Sequence, residues 1–140
     1  MSDGGGSRFS LPVGEGVGAM LCLAGGDVLG GASTQGYSAT TQQAVVVAYH
    51  LIRHGEIDRE TLAEEMTEMD GDHDAPSVFR SSSPQLRQWL DSSRAGEPVF
   101  ATEPGLDPAV RVAPVGMWFR RRPDELVEAA LETARLTHLD

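Results

Sequence analysis

The sequence predicts an all-α fold, on three observations. Apolar residues recur at helical spacing in six segments. Most of these segments open with a capping side chain or with proline at the first helical position, and glycines stand where left-handed C-caps are wanted. No stretch alternates apolar and polar residues convincingly enough to be a half-buried strand.

The first helix is expected over Gly14 to Leu29, where Val17, Met20, Leu21, Leu23, Ala24, Val28 and Leu29 make it a buried element. Gly14, Gly16, Gly18, Gly25 and Gly26 each weaken it by roughly 1 kcal/mol against alanine when interior, so close approach of another helix should compensate. Asp27 is an acid near the end of this otherwise apolar element. Cys22 falls in its apolar stripe and reads as a small core residue. A turn from Gly30 to Tyr37 leads to Ser38 or Thr40, either of which can cap the second helix, and Thr40 with Gln43 fits a capping box. That helix should run to His54. Ala44, Val45, Val47, Ala48, Leu51 and Ile52 form its stripe, and Gly55 sits at the C-terminal cap position. The valines from 45 to 47 also tolerate a strand, but the length and both caps favour helix.

Asp58 is placed to cap a short third helix whose Leu62, Met66 and Met69 face inward. Ser83 and Pro84 open a fourth helix through Trp89 and Leu90, which Gly96 ends. Asp107 and Pro108 repeat the cap-then-proline signature for a fifth, carrying Val110, Val112, Ala113, Val115, Met117 and Trp118, in which Pro114 predicts a kink or an early stop. Pro123 and Asp124 start a sixth, with Leu126, Val127, Ala130, Leu131 and Ala134 on one face. No period of 20 to 50 residues recurs, so a solenoid is not expected.

Composition narrows the function classes. A chain of 140 residues suits one domain: a Gly-rich flexible tail over 1–12, then a helical domain over 13–140. Asp and Glu outnumber Lys and Arg by 21 to 11, for a formal charge of -10, which argues against nucleic acid as a partner. The basic run Arg120 to Arg122 reads as a solvated turn. One cysteine permits no internal disulfide and no thiolate zinc cluster. With no signal peptide and no apolar stretch near the ~20 residues a bilayer demands, a cytoplasmic protein without a membrane partner is expected.

Two motifs imitate metal sites. Asp70-Gly71-Asp72-His73-Asp74 opens like an EF-hand, but Ala75 and Ser81 stand where its glycine and bidentate glutamate belong, so a solvated loop is expected. His50 and His54, four apart, share a helix face and could both reach one ion. There is no glutamate at position 51 to give the zinc-protease pattern, and the negative helix C-terminus also favours two histidines there.

Three stretches in order resemble the ADP-ribosylglycohydrolase family. GAMLCLAGGDVLGG, Gly18 to Gly31, is similar to its opening helix. YSATTQQAVVVAYHLIRHGEID, Tyr37 to Asp58, is similar to its T-D-D-T-Q segment and the helix that follows. AVRVAPVGMWFRRRPDELVEAALETARLTHLD, Ala109 to Asp140, is similar to its A-x-R-x-A-P-x-G helix, the next helix and a closing T-H. The resemblance implies an orthogonal helical bundle corresponding to the N-terminal half of that fold. It also implies a two-ion magnesium or manganese chemistry that cleaves ADP-ribose from an acceptor, with carboxylates holding the ions.

The chain departs from that pattern at the carboxylates. Ser38 stands at the motif threonine, Ala39 and Thr40 at its two aspartates, and Thr41 at the next threonine. The family's second acidic motif, D-x-D-T, lies beyond the point where the chain ends. Asp27, Arg111, Thr137 and His138 do match the family. Asp27, Arg111 and His138 are the candidate ligand-binding residues, although Asp27 and Arg111 read first as ties between helices. The expectation is a degenerate, non-catalytic relative with a binding or interaction role, no catalytic residues, no bound cofactor, and an unidentified protein partner or self-association. Two alternatives stay open: a metal-dependent hydrolase, using magnesium or manganese, completed by a partner chain or a dimer, and a truncated gene remnant.

Overall fold

The structure, a computed structural model, describes residues 13–30, 36–71 and 79–139. The tail expected over 1–12 and most of the acidic loop after Asp70 lie outside the described residues. Six helices follow in order: α1 Val13–Leu29, α2 Ala39–His54, α3 Arg59–Asp70, α4 Pro84–Arg94, α5 Asp107–Phe119 and α6 Pro123–Ala134. The fold is all-α. Among the described residues the sole β feature is a parallel bridge between Ala101 and His138, which pins the chain's end beside the α4–α5 connection. No helix among them is long and apolar enough to cross a membrane.

The caps act largely as their residue types dictate. Ser38 caps α2 by accepting from the Thr40 N–H at 3.2 Å, in preference to a Thr40 capping box. Gly55 ends α2 at φ +80°, a left-handed turn that disfavours side chains bearing a Cβ. Asp58 accepts from the Thr61 N–H at 2.8 Å, and Ser83 from the Leu86 N–H at 2.9 Å, each satisfying a helix donor that would otherwise lack a partner. α5 differs: its N-cap is Leu106, and Asp107 is the first helical residue, buried and turned inward. Pro114 does not stop α5, which continues to Phe119.

Helix α2 is central and packs on α1, α3 and α5, while α6 covers α5 and α4 lies on α3. The core gathers Val46, Val47 and Leu51 of α2, Leu62 and Met66 of α3, Leu86, Trp89 and Leu90 of α4, Val115 and Phe119 of α5, with Phe79 and Leu136. The Trp118 indole donates to the Gly55 carbonyl at 3.1 Å, tying α5 to the end of α2.

Several faces differ from expectation. α1 is not a buried helix: none of its described side chains is fully buried, and Leu21 (67%) and Leu29 (89%) are largely exposed. Its inward side is Met20, Leu23, Ala24 and Asp27, all half-buried, and Cys22 is exposed. Because α1 is apolar all round, hydrophobic period could not choose its inner face. Ile52, Met69, Val127 and Leu131 are exposed as well. On α6 Leu126 and Ala130 of the predicted stripe pack against the core, but the fully buried positions are Ala129 and Thr133, so the inner face is turned away from Val127 and Leu131.

Two polar readings also change. Asp70 is buried as the last residue of α3 and bonded to Arg87 at 2.9 Å and to Arg94, because a desolvated carboxylate must be paired. His50 is fully buried, whereas the C-terminal dipole alone would have left it at the surface. The run Arg120 to Arg122 is exposed as expected, with Arg122 bonded to Glu125 and its guanidinium 4.7 Å from the Phe119 ring centroid.

Candidate functional site

The N-terminal turn of α2 organises two polar clusters. The first joins it to α1. Asp27 Oδ2 accepts from the Ser38 N–H at 2.7 Å, from the Thr41 hydroxyl at 2.7 Å and from the Thr41 N–H at 3.3 Å. Asp27 Oδ1 accepts from the Ser38 hydroxyl at 2.6 Å. α2 has no acidic residue in its own first turn, so Asp27 supplies from another helix the negative charge that a helix N-terminus favours. Burial works to raise the Asp27 pKa, but the bonds from Ser38 and Thr41 outweigh it and hold the carboxyl below its ordinary value of 3.8. Ala39 faces the other way, 3% exposed within the hydrophobic core, and Thr40 is half-buried.

The second cluster lies between α2, α5 and the residues after α6. Gln43 donates to Asp107 Oδ1 at 2.8 Å and Ser83 to Asp107 Oδ2 at 2.5 Å. Arg111, one turn after Asp107, has no exposed surface, and its Nη2 donates to the Thr137 hydroxyl at 2.5 Å. Among the described residues its Nε and Nη1 have no hydrogen-bond partner. Desolvation lowers the Arg111 pKa to about 10 despite the opposing charge of Asp107, so the guanidinium remains a cation at neutral pH.

Thr137 Oγ1 accepts from Arg111 and lies within hydrogen-bond distance of His138 Nδ1, 2.8 Å away. Burial first, and then the Arg111 charge, push the His138 pKa below 6.5 against a smaller pull from Asp107, keeping the ring neutral. Nε2 is buried without a partner among the described residues, and a Cβ on Gly105 would come within 2.8 Å of it. The imidazole therefore needs the glycine beside it. His138 also borders a cleft of about 1070 Å³ between α3, the end of α4 and the C-terminal residues, with Phe100 and Leu136 on its apolar wall.

The structure thus brings Asp27 together with Ser38 and Thr41, and Arg111 with Thr137 beside His138. Among the described residues no hydrogen bond links Asp27 to Arg111 or His138. Sequence reasoning missed Asp107, Gln43 and Ser83. An acid one helical turn before Arg111 is the available signal for Asp107, although the Asp107-Pro108 pair also fits a helix cap.

The family model described as ADP-ribosylglycohydrolase matches residues 15–140. The chain belongs to the ADP-ribosylglycohydrolase family. No curated protein and no solved structure gives a match. The family match spans both polar clusters and all six helices but for the first two residues of α1.

Proposed function

We propose that the chain is a non-catalytic member of the ADP-ribosylglycohydrolase family that acts by binding. The observation that carries this is the engagement of Asp27, the acid at the α1–α2 junction, by four donors from Ser38 and Thr41. A hard divalent cation needs several anionic oxygens held toward it. Here the corresponding turn offers neutral hydroxyls whose protons point at the one carboxylate present. Ala39, at a position where the family places an aspartate, packs into the apolar core, out of reach of any ion at this turn.

What remains for a ligand is the pairing of Arg111 and His138. The His138 ring borders a cleft with room for a small molecule, with the buried Arg111 cation behind it. The Arg111 field favours an anionic ligand there.

The test is thermal shift on the purified chain with magnesium, manganese and ADP-ribose, each alone and in combination. No metal-dependent rise in Tm is expected, and ADP-ribose should raise Tm without metal, because a ligand that binds only the native state stabilises it by mass action. A rise that needs magnesium or manganese, or metal-dependent release of ADP-ribose from a modified acceptor, would overturn the non-catalytic reading.

A further inference from the structure

At the far end of α2, away from the Ser38–Thr41 turn, two imidazoles converge on one carboxylate of α3. Glu65 Oε2 lies 2.7 Å from His50 Nδ1, and Oε1 lies 3.1 Å from His54 Nε2. The two rings, one helical turn apart, have centroids 4.6 Å apart. One donor atom from each of the three residues falls within 4.8 Å of the other two. A tetrahedral ion with ligands at about 2.0 to 2.1 Å sets its donors about 3.4 Å apart, so on binding the widest gap closes by at most about 1.4 Å, within reach of a rotation of the partly exposed His54 ring.

A purely structural account explains part of this. His50 Nε2 accepts from the Asp58 N–H at 3.2 Å, which leaves the proton on Nδ1 to be donated to Glu65. That proton pins α3 to α2. It does not explain why His54, 36% exposed and free to extend into water, folds back onto the same carboxylate. Arg53 reaches the Glu65 oxygen too, at 3.3 Å, but is 66% exposed and can swing away.

The geometry points to a binding site for a first-row transition ion of the zinc class at His50 Nδ1, His54 Nε2 and Glu65, open to solvent on the His54 side for a water ligand. Two imidazoles and a carboxylate favour zinc, cobalt, nickel or copper over magnesium. On binding, the ion takes the place of the proton at His50 Nδ1, and that proton moves to Nε2, so the ring stays neutral. The bond from the Asp58 N–H is then lost. A metal-bound histidine normally turns its second nitrogen toward an acceptor, and here it meets a donor, so affinity falls about 10- to 100-fold short of a site with that acceptor in place.

The experiment is zinc titration by calorimetry, with cobalt absorption as a second readout. It uses the untagged chain carrying Cys22→Ser, since an exposed thiol competes for zinc. One zinc per chain is expected, with tetrahedral cobalt bands and no competition from excess magnesium. His54→Ala and Glu65→Gln should each weaken zinc by about tenfold or more, a loss that even an outer-shell change can cause. His54 is partly exposed, so its variant tests binding with the fold intact, as circular dichroism would verify. Unchanged zinc affinity in both variants, no zinc binding at all, or equal displacement by magnesium would each overturn the assignment. None of these outcomes touches Asp27 or His138, so the proposed function stands or falls separately.

Discussion

Asp27 meets Ser38 at two points, its two oxygens taking the backbone N–H at 2.7 Å and the hydroxyl at 2.6 Å. This contact fastens α1 to a body it otherwise barely enters, since none of its described side chains is fully buried. Asparagine at this position would turn an NH2 group toward donors. Asp27→Asn is therefore expected to cost about 1 to 2 kcal/mol, the scale of hydrogen bonds to a charged group that still sees solvent. The loss should concentrate in α1. Hydrogen exchange resolved by segment checks this: amides of 13–29 lose protection while those of α2 and α5 keep theirs, and uniform or absent loss would contradict the role given to Asp27.

Arg111 is the opposite case, a fully buried cation with two donor groups unsatisfied. Truncation by Arg111→Ala leaves a void and removes the hydrogen bond to Thr137, a loss of about 2 to 5 kcal/mol. Arg111→Met keeps most of the volume and removes the unsatisfied N–H groups. Asp107 still accepts from Gln43 and Ser83 in that variant. Methionine should then cost less than half as much as alanine in urea unfolding. Equal losses would mean that the charge itself, more than the packing, holds α5 to the chain's end.

Legibility in the sequence followed the range of the forces involved. Caps at Asp58, Ser83 and Gly55 depend on neighbours within a turn, so residue type alone located them. The face of α6 depends on what α5 presents, and there the Val127–Leu131 stripe misled while Ala129 and Thr133 went inward. α1 misled for a related reason: a helix apolar on every side carries no directional signal. Of the site, Asp27, Arg111, Thr137 and His138 were visible through family resemblance, but the bonds of Asp107 to Gln43 and Ser83 were not. Asp107 lies 64 residues from Gln43, and Glu65 lies 15 from His50, spacings that no local pattern encodes.

The pH dependence of stability should fall in two stages on acidification. Burial and the Arg111 charge lower the His138 pKa below 6.5 in the folded chain. Between its folded and unfolded values the unfolded chain binds more protons, so this stability is fully present above about 6.5 and declines as pH falls through that window. The second stage involves Asp27 and Glu65. Burial works against both, but hydrogen bonds, from Ser38 and Thr41 on one and from His50 and His54 on the other, lower their pKa values in the fold. Their contribution is lost only as pH drops below the ordinary carboxylate range. His138→Gln should flatten the upper stage and leave the lower one. Urea midpoints measured from pH 8 to pH 3 distinguish the stages, and an unchanged upper stage in the variant would contradict the His138 assignment.

Restoring an acid at the family's motif position bears directly on the lost-chemistry reading. Ala39 is 3% exposed, its side chain is part of the apolar core, and its N–H donates to the Arg80 carbonyl. Ala39→Asp would place a carboxylate where no donor awaits it, at a cost of about 2 kcal/mol or more even if the acid takes up a proton. Magnesium cannot offset that cost if α2 presents this position inward, because the ion would have to follow the carboxylate into the core. Thr40→Asp differs, since Thr40 is half-buried in the same turn and can keep its side chain near water. The expected pattern is a lower Tm for Ala39→Asp that magnesium does not restore, and a smaller change for Thr40→Asp. Rescue of Ala39→Asp by millimolar magnesium would show that the first turn of α2 can rotate its acid outward, and that the scaffold lacks only the carboxylates.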